Sequence, residues 1–248
     1  MSTVSAVVLA FNEEKNIVDC LDTLSWADEM LVLDSFSKDD TERMAREKGA
    51  EVRQREFDDY ASQRNAALDL ANGEWVFFVD ADERVSAELA EEVRDVVERD
   101  GPHGWWVPRK NYIFGSWVRH GGWHPDYQLR LLRRNKARYD ERRPVHELVI
   151  LDGEAGFLRN PLIHFNYDTV QQFVEKQNRY TDLEVQMLRG SGVRARLWSF
   201  VLQPLRQFRW RYVTLGGYRD GWRGLLLGAL LAYYEMILYW RLWRLQQG

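Results

Sequence analysis

A chain of 248 residues, 45% hydrophobic and 29% charged, is long enough to bury a full core and has the composition of an ordinary globular protein. Its net charge of −4 conceals an asymmetry: from Arg194 onward nine arginines face only Asp220 and Glu235, so residues 1–193 carry −11. The single cysteine, Cys20, excludes an intrachain disulfide and any cysteine-based zinc site, and suits a small core residue.

Strand and helix patterns alternate from the start. Val4–Ala10 is an apolar run, too short and strand-like for a signal peptide and lacking a basic lead, so a cytosolic location is expected. A helical pattern follows through Ile17, Cys20, Leu21 and Leu24. Glu29–Leu33 is a second short strand ending at Asp34. A helix from Thr41 to about Lys48 stops at Gly49. Glu51–Gln54 is a third strand, Tyr60–Ala71 a helix, and Glu74–Val79 a fourth strand preceded by an Asn72-Gly73 turn. That strand runs straight into Asp80-Ala81-Asp82-Glu83, and a helix begins near Ser86.

Such alternation predicts an α/β domain with a mainly parallel sheet. Ligands in such sheets bind outside the carboxyl ends of the strands, which places Ala10–Asn12, Asp34 and Asp80–Asp82 along one edge. Two carboxylates one residue apart can present oxygens to one Mg²⁺ or Mn²⁺; an acidic helix-capping turn has the same composition. No Gly-x-Gly-x-x-Gly follows the first strand and there is no Walker lysine, which disfavours a dinucleotide-dependent dehydrogenase and a P-loop NTPase.

From Gly104 to His164 the pattern shortens to strand-like pieces at Trp105–Arg109, Tyr127–Arg133, Val145–Ile150 and Leu158–Phe165, a mixed half that completes the sheet. Thr169–Leu188 reads as a helix with Thr169 as its N-cap. The tail is different in kind. Leu197–Val213 mixes aromatic residues with Arg206, Arg209 and Arg211, and Gly224–Trp240 has Glu235 as its only charge. The latter is slightly short for a span, and arginine beside tryptophan and tyrosine suits a helix lying at a membrane surface. Packing on the body or on a second subunit is the other reading. Basic residues punctuate apolar stretches here without forming a dense polar patch, so nucleic acid is not expected as a partner.

Three segments carry a family resemblance: Val7-Val8-Leu9-Ala10-Phe11-Asn12-Glu13-Glu14, Val32-Leu33-Asp34-Ser35-Phe36-Ser37-Lys38-Asp39-Asp40-Thr41 and Phe78-Val79-Asp80-Ala81-Asp82-Glu83. In this order and spacing they resemble the family 2 glycosyltransferases of GT-A fold, with a Rossmann-like, mainly parallel central sheet and helices on both faces. Trp123-His124-Pro125-Asp126-Tyr127-Gln128-Leu129-Arg130-Leu131, Val145-His146-Glu147 and Gly216-Gly217-Tyr218-Arg219-Asp220-Gly221 are similar to the lipopolysaccharide-core β-1,4-glucosyltransferases. The core match covers roughly residues 1–165, and the tail match is looser. The resemblance implies a catalytic domain over 1–168, while the helical, basic and aromatic extension over 169–248 is expected from its own composition to associate with membrane.

The resemblance further implies inverting transfer of a hexose, from a UDP-hexose such as UDP-glucose, onto a lipid-linked glycan of lipopolysaccharide-core type at the inner face of the cytoplasmic membrane. The same fold would serve a polyprenyl phosphate or exopolysaccharide acceptor, and a nucleotide-sugar-binding protein without turnover is the alternative of another class. A homo-oligomer is compatible with either. The resemblance places Ala10, Asn12, Glu13, Glu14, Asp34, Arg64, Asp80 and Ala81 against the nucleotide sugar. It gives Asp80, Asp82 and His164 to a divalent cation, Mn²⁺ or Mg²⁺, with Asp82 the stronger ligand and Asp80 also suited to the ribose. Asp126 is the expected catalytic base, with Glu147 as competitor, because His-Pro-Asp stands where many relatives have Glu-Asp. Trp123 and Arg130 would shape the sugar pocket or an anionic acceptor site.

Overall fold

The structure, a computed structural model, describes residues 1–142 and 148–247. Its elements run β1 (Val4–Ala10), α1 (Ile17–Asp22), β2 (Glu29–Asp34), α2 (Thr41–Glu47), β3 (Glu51–Gln54), α3 (Tyr60–Leu70), β4 (Trp75–Asp80), β5 (Glu83–Arg84) and α4 (Ala87–Val97). There follow β6 (Gly104–Ile113), β7 (Ser116–Trp117), β8 (Asp126–Arg133), β9 (Ala137–Tyr139), β10 (Val149–Leu151), β11 (Ala155–Phe157) and β12 (Leu162–Tyr167). Three helices close the chain: α5 (Val170–Gly190), α6 (Ser199–Phe208) and α7 (Gly221–Gln247). Two compact units result, one of Met1–Arg109 with Tyr127–His164 and one of Lys110–Asp126 with Phe165–Gly248.

In the first unit the sheet order is β3-β2-β1-β4-β8-β6-β12-β5, with β3, β2, β1 and β4 mutually parallel and β8 antiparallel to β4. Both faces are covered, which is why β1 and β4 are apolar at consecutive positions instead of alternating. Val4, Ala6, Val8, Phe77 and Val79 pack with Ile17, Cys20 and Leu21 of α1 and with Leu89 and Val93 of α4. Val7, Val76 and Phe78 pack with Ala61, Ala67 and Leu68 of α3 on the other side. Burial of a side chain such as Phe77 contributes roughly 1.5–3 kcal/mol, so these strands anchor the loops at their ends.

Local sequence explains the element ends. Ser86 caps α4 by accepting from Leu89 N, Asp59 caps α3 by accepting from Ser62 N, and Gly49 takes the left-handed conformation after α2. Two expected strands need adjustment. Leu158–Phe165 begins only at Leu162, because Pro161 lacks an amide hydrogen and Asn160 turns its side chain to Glu92. Of Val145–Ile150, residues 145–147 lie outside the described residues and Val149–Leu151 is β10.

In the second unit β6 and β7 form a hairpin with Tyr112 opposite Trp117, turned by Phe114 and Gly115, both at positive φ, as a two-residue primed turn requires. Thr169 and Gln172 form a capping box at the start of α5. Helix α7 packs one face, Leu227, Tyr234, Leu238 and Leu242, into two clusters that include Phe173 and Val185 of α5. Tyr234 Oη donates to Val174 O at 3.1 Å, and Arg241 Nη1 to Asp182 Oδ1 at 2.6 Å. Residues 217–247 are long and apolar enough to cross a membrane by length and composition, and this packed face belongs to the same helix.

Candidate active site

Parallel pairing sets the register of three strand ends in the first unit. Ala10 lies opposite Asp34, and Leu9 opposite Asp80. The strand ends expected at the sheet edge therefore lie side by side, the Asp34 side chain on the face of Ala10 and the Asp80 side chain on the opposite face, that of Leu9.

Two loops leave this edge stitched to each other. Ser35 N donates to Ala10 O at 2.8 Å, Asn12 N to Ser37 Oγ at 2.8 Å, and Lys38 N to Asn12 Oδ1 at 2.8 Å. Glu13 N donates to Thr41 Oγ1 at 2.7 Å, and Glu14 N to Asp39 Oδ2 at 3.2 Å. Asn12 and Phe36 both sit at positive φ (56° and 59°), and Phe36 remains exposed. Asn tolerates that conformation locally; a phenylalanine there is held by the surrounding bonds. Asp34 is fully buried, and its carboxylate accepts from Ser37 N at 2.9 Å and from the Ser37 hydroxyl. Burial raises the Glu13 carboxyl above its ordinary range, partly opposed by Asn16 and reinforced by Asp82, Asp39 and Asp80.

Asp80 is surrounded by arginine. Arg130 donates through Nη1 to Oδ1 at 3.0 Å and through Nη2 to Oδ2, while Arg64 Nη2 reaches Oδ1 at 3.4 Å. Arg64 lies on α3 but is buried, its guanidinium carbon 5.1 Å from the Phe78 ring centroid, so it is no surface arginine. Burial would raise the Asp80 carboxyl; Arg130 and Arg64 outweigh it and hold the group well below the usual carboxylate range. Glu83, also fully buried, accepts the Asp80 amide at 2.9 Å and pairs with Arg130 at 3.2 Å and Arg109 at 3.6 Å. Burial pushes its carboxyl up against the pull of Arg130. Arg130, expected in a sugar pocket or acceptor site, is instead the buried partner of these two acids.

Asp82 points elsewhere. Its Oδ2 is 3.3 Å from His164 Nε2, His164 is buried, and Asp82 keeps about a quarter of its side chain accessible. A carboxylate oxygen and an imidazole nitrogen at this spacing fit a hard divalent cation. Among the described residues no three His, Cys, Asp or Glu side chains converge as a complete protein-only site. Mg²⁺ sites completed by substrate phosphates have this incomplete character. Asp80 is a weaker candidate ligand than the sequence implied, since Arg130 engages both its oxygens.

In the second unit Asp126, the first residue of β8, accepts from Asn111 Nδ2 at 3.2 Å, and the same amide donates to Trp123 O at 2.8 Å. Glu147 lies outside the described residues.

The family model of Glycosyl transferase family 2 matches residues 5–165, a stretch that contains every one of these strand-end residues. The chain belongs to that family. Its sheet is the GT-A sheet, followed by a long C-terminal helix. This family 2 member is 30% identical to the lipopolysaccharide core biosynthesis glycosyltransferase LpsC of Rhizobium meliloti, over 92% of this chain and 88% of that protein. An uncharacterized glycosyltransferase of Rickettsia felis is 25% identical over 77% of this chain and 72% of its own length. A crystal structure of glucosyl-3-phosphoglycerate synthase from Mycobacterium tuberculosis, in complex with Mn²⁺, UDP and glucosyl-3-phosphoglycerate, is 29% identical, with a TM-score of 0.38, over 46% of this chain and 45% of that one.

Sequence reasoning did not find Glu83, Arg109 or Asn111. Glu83 follows Asp80-Ala81-Asp82 and Arg109 precedes Lys110, so both read as members of charged stretches, and only the fold shows them paired with each other. Nothing in the linear pattern marks Asn111.

Proposed function

We propose that this family 2 glycosyltransferase transfers a hexose, with inversion, from a UDP-hexose donor such as UDP-glucose to a hydroxyl of a lipid-linked glycan. The acceptor class is lipopolysaccharide core, in keeping with the relationship to LpsC. The observation that carries the reading is the register of Ala10, Asp34 and Asp80 at three parallel strand ends beside the Asp82–His164 pair. In this reading a nucleoside diphosphate lies along that edge, with Asn12 and Glu14 taking the nucleoside, Ala10 and Ala81 offering backbone, and Asp34, whose buried carboxylate is held by Ser37, turning toward the base when the donor binds.

Arg64, fixed beside Asp80, contributes positive charge toward the diphosphate. Asp82 and His164 would hold the divalent cation, Mn²⁺ or Mg²⁺, with Asp80 orienting the ribose and keeping Arg130 in place. When bound, that cation supplies Lewis-acid neutralisation of the departing diphosphate. Asp126 acts as general base: it takes the proton of the acceptor hydroxyl as that oxygen bonds to the anomeric carbon and the carbon–phosphate oxygen bond breaks. Residues 1–168 form the catalytic domain in this reading. Residues 169–248 carry the membrane contact, at the inner face of the cytoplasmic membrane.

The test is UDP release from UDP-glucose with Mn²⁺ and deacylated heptose-containing core oligosaccharide. Transfer that falls by at least 10²-fold in Asp126→Asn supports the reading. UDP binding with no turnover on any such acceptor would favour a binding protein and overturn it.

A further inference from the structure

The loop that delivers Asp126 is clasped by the elbow between α6 and α7. Asp220, at that elbow, is nearly buried, and its carboxylate accepts from His120 N at 2.8 Å and Arg119 N at 3.2 Å. Its Oδ1 also lies 3.1 Å from His120 Nδ1, which assigns the Nδ1–H tautomer. Arg211 Nη1 donates to Gly121 O at 2.9 Å, and Gly121 N to Leu215 O at 2.9 Å. Arg223 donates through Nε and Nη2 to Phe114 O, at 3.1 and 2.9 Å. Burial lowers the Arg211 pKa from its ordinary value, and the Gly121 carbonyl gives the buried guanidinium a hydrogen-bond acceptor.

From the clasped loop the bonds continue to the proposed base. Trp123 N donates to His120 O at 3.3 Å, Trp123 O accepts from Asn111 Nδ2 at 2.8 Å, and that amide also donates to Asp126 Oδ2 at 3.2 Å. Asn111 is 1% exposed and has little freedom to compensate for a shift of its neighbours. The elbow itself has no slack. A Cβ at Gly224 would stand 1.8 Å from Gly217 O, and one at Gly217 would stand 2.8 Å from Arg211 O.

We propose that Asp220 and Arg211 are positioning residues for catalysis: the C-terminal elbow fixes the 119–126 loop and thereby sets the orientation of the Asp126 carboxylate. The inference rests on the reading of Asp126 as general base. It gives residues 211–223 a part in the chemistry that does not depend on membrane contact.

The test uses the full chain with a soluble, deacylated acceptor, so that lipid binding does not enter. Asp220→Ala should lower kcat by roughly 10- to 100-fold, the cost of a misplaced catalytic group, while KM for UDP-glucose stays within about twofold. Asp220→Asn, which keeps one acceptor oxygen, should recover much of the loss. In the double variant Asp126→Asn/Asp220→Ala the second change should add little to the first, because both act on one proton transfer. Hydrogen exchange adds a readout independent of turnover: amides of residues 118–126 should exchange at least tenfold faster in Asp220→Ala, with β1 and β4 unchanged.

Slow turnover in Asp126→Asn beside unimpaired Asp220→Ala would overturn the positioning role and leave the base intact. Full activity of Asp126→Asn would overturn the base, and the kinetic part of this inference with it. Unchanged exchange across 118–126 would overturn the clasp itself. Losses that multiply in the double variant would assign Asp220 to some other step.

Discussion

Arg130 closes on Asp80 with both arms of its guanidinium, Nη1 meeting Oδ1 at 3.0 Å and Nη2 meeting Oδ2, across the β4–β8 pair of the sheet. This contact divides the acidic pair at the end of β4. Asp80 is committed to arginine, whereas Asp82 faces an imidazole.

The first prediction follows from that burial. Arg130→Leu leaves Asp80 and Glu83 without their main counter-charge, and removing one partner of a buried pair costs about 3–5 kcal/mol. Urea unfolding of the variant should show a midpoint lowered accordingly. Arg130→Lys keeps the charge but loses the two-armed geometry and should fall between. Wild-type stability in both variants would mean the ion pair is not formed.

Cation dependence should separate the two acids. UDP with Mn²⁺ at about 100 times its Kd should stabilise the protein by about 2.7 kcal/mol, seen as a rise in Tm that EDTA abolishes. Asp82→Ala should erase the Mn²⁺-dependent part, and His164→Ala should reduce it. An Asp82→Ala variant that keeps the full EDTA-sensitive shift would remove Asp82 from the cation site.

Glu235 lies in α7 among apolar neighbours. Burial raises its carboxyl above the ordinary value of 4.5, Glu184 adds to the effect and Arg206 opposes it. A raised folded-state pKa means the native protein binds this proton more readily than the unfolded chain. The group therefore lowers stability as pH climbs from 4.5 through its raised value, and the penalty persists above. Glu235→Gln should stabilise the protein at pH 7.5 and lose that advantage near pH 4.5. Equal differences at both pH values, read from urea midpoints, would rule this out.

Helix α6 and its lead-in expose Leu197, Trp198, Val201, Leu202 and Leu205 together, at spacings that form one helical face. No acidic residue occurs between Arg194 and Arg219, which holds six arginines. An apolar face with basic flanks matches an anionic bilayer surface. Val201→Glu with Leu205→Glu should cut flotation with phosphatidylglycerol vesicles by about 10²-fold or more, since each apolar side chain buried is worth roughly 1.5–3 kcal/mol. Undiminished flotation of the double variant would place the membrane contact elsewhere or remove it.

Asp34, Asp80 and Asp82 were legible in the linear sequence because each closes or follows a short apolar run, and hydrogen bonding of parallel strands must bring such ends to one edge. The Thr169 cap of α5 and the Gly49 stop were legible for the same local reason, since caps join residues within one turn, whereas the reciprocal bond from Gln172 emerged only in the structure. Partners distant in sequence were not. Arg130 reaches Asp80 across 50 positions, and Asp220 reaches His120 across 100. A continuous apolar run specifies that a strand is buried but not which strand lies beside it, so the pairing of β4 with β8, and with it the commitment of Asp80 to arginine, was decided by tertiary structure alone.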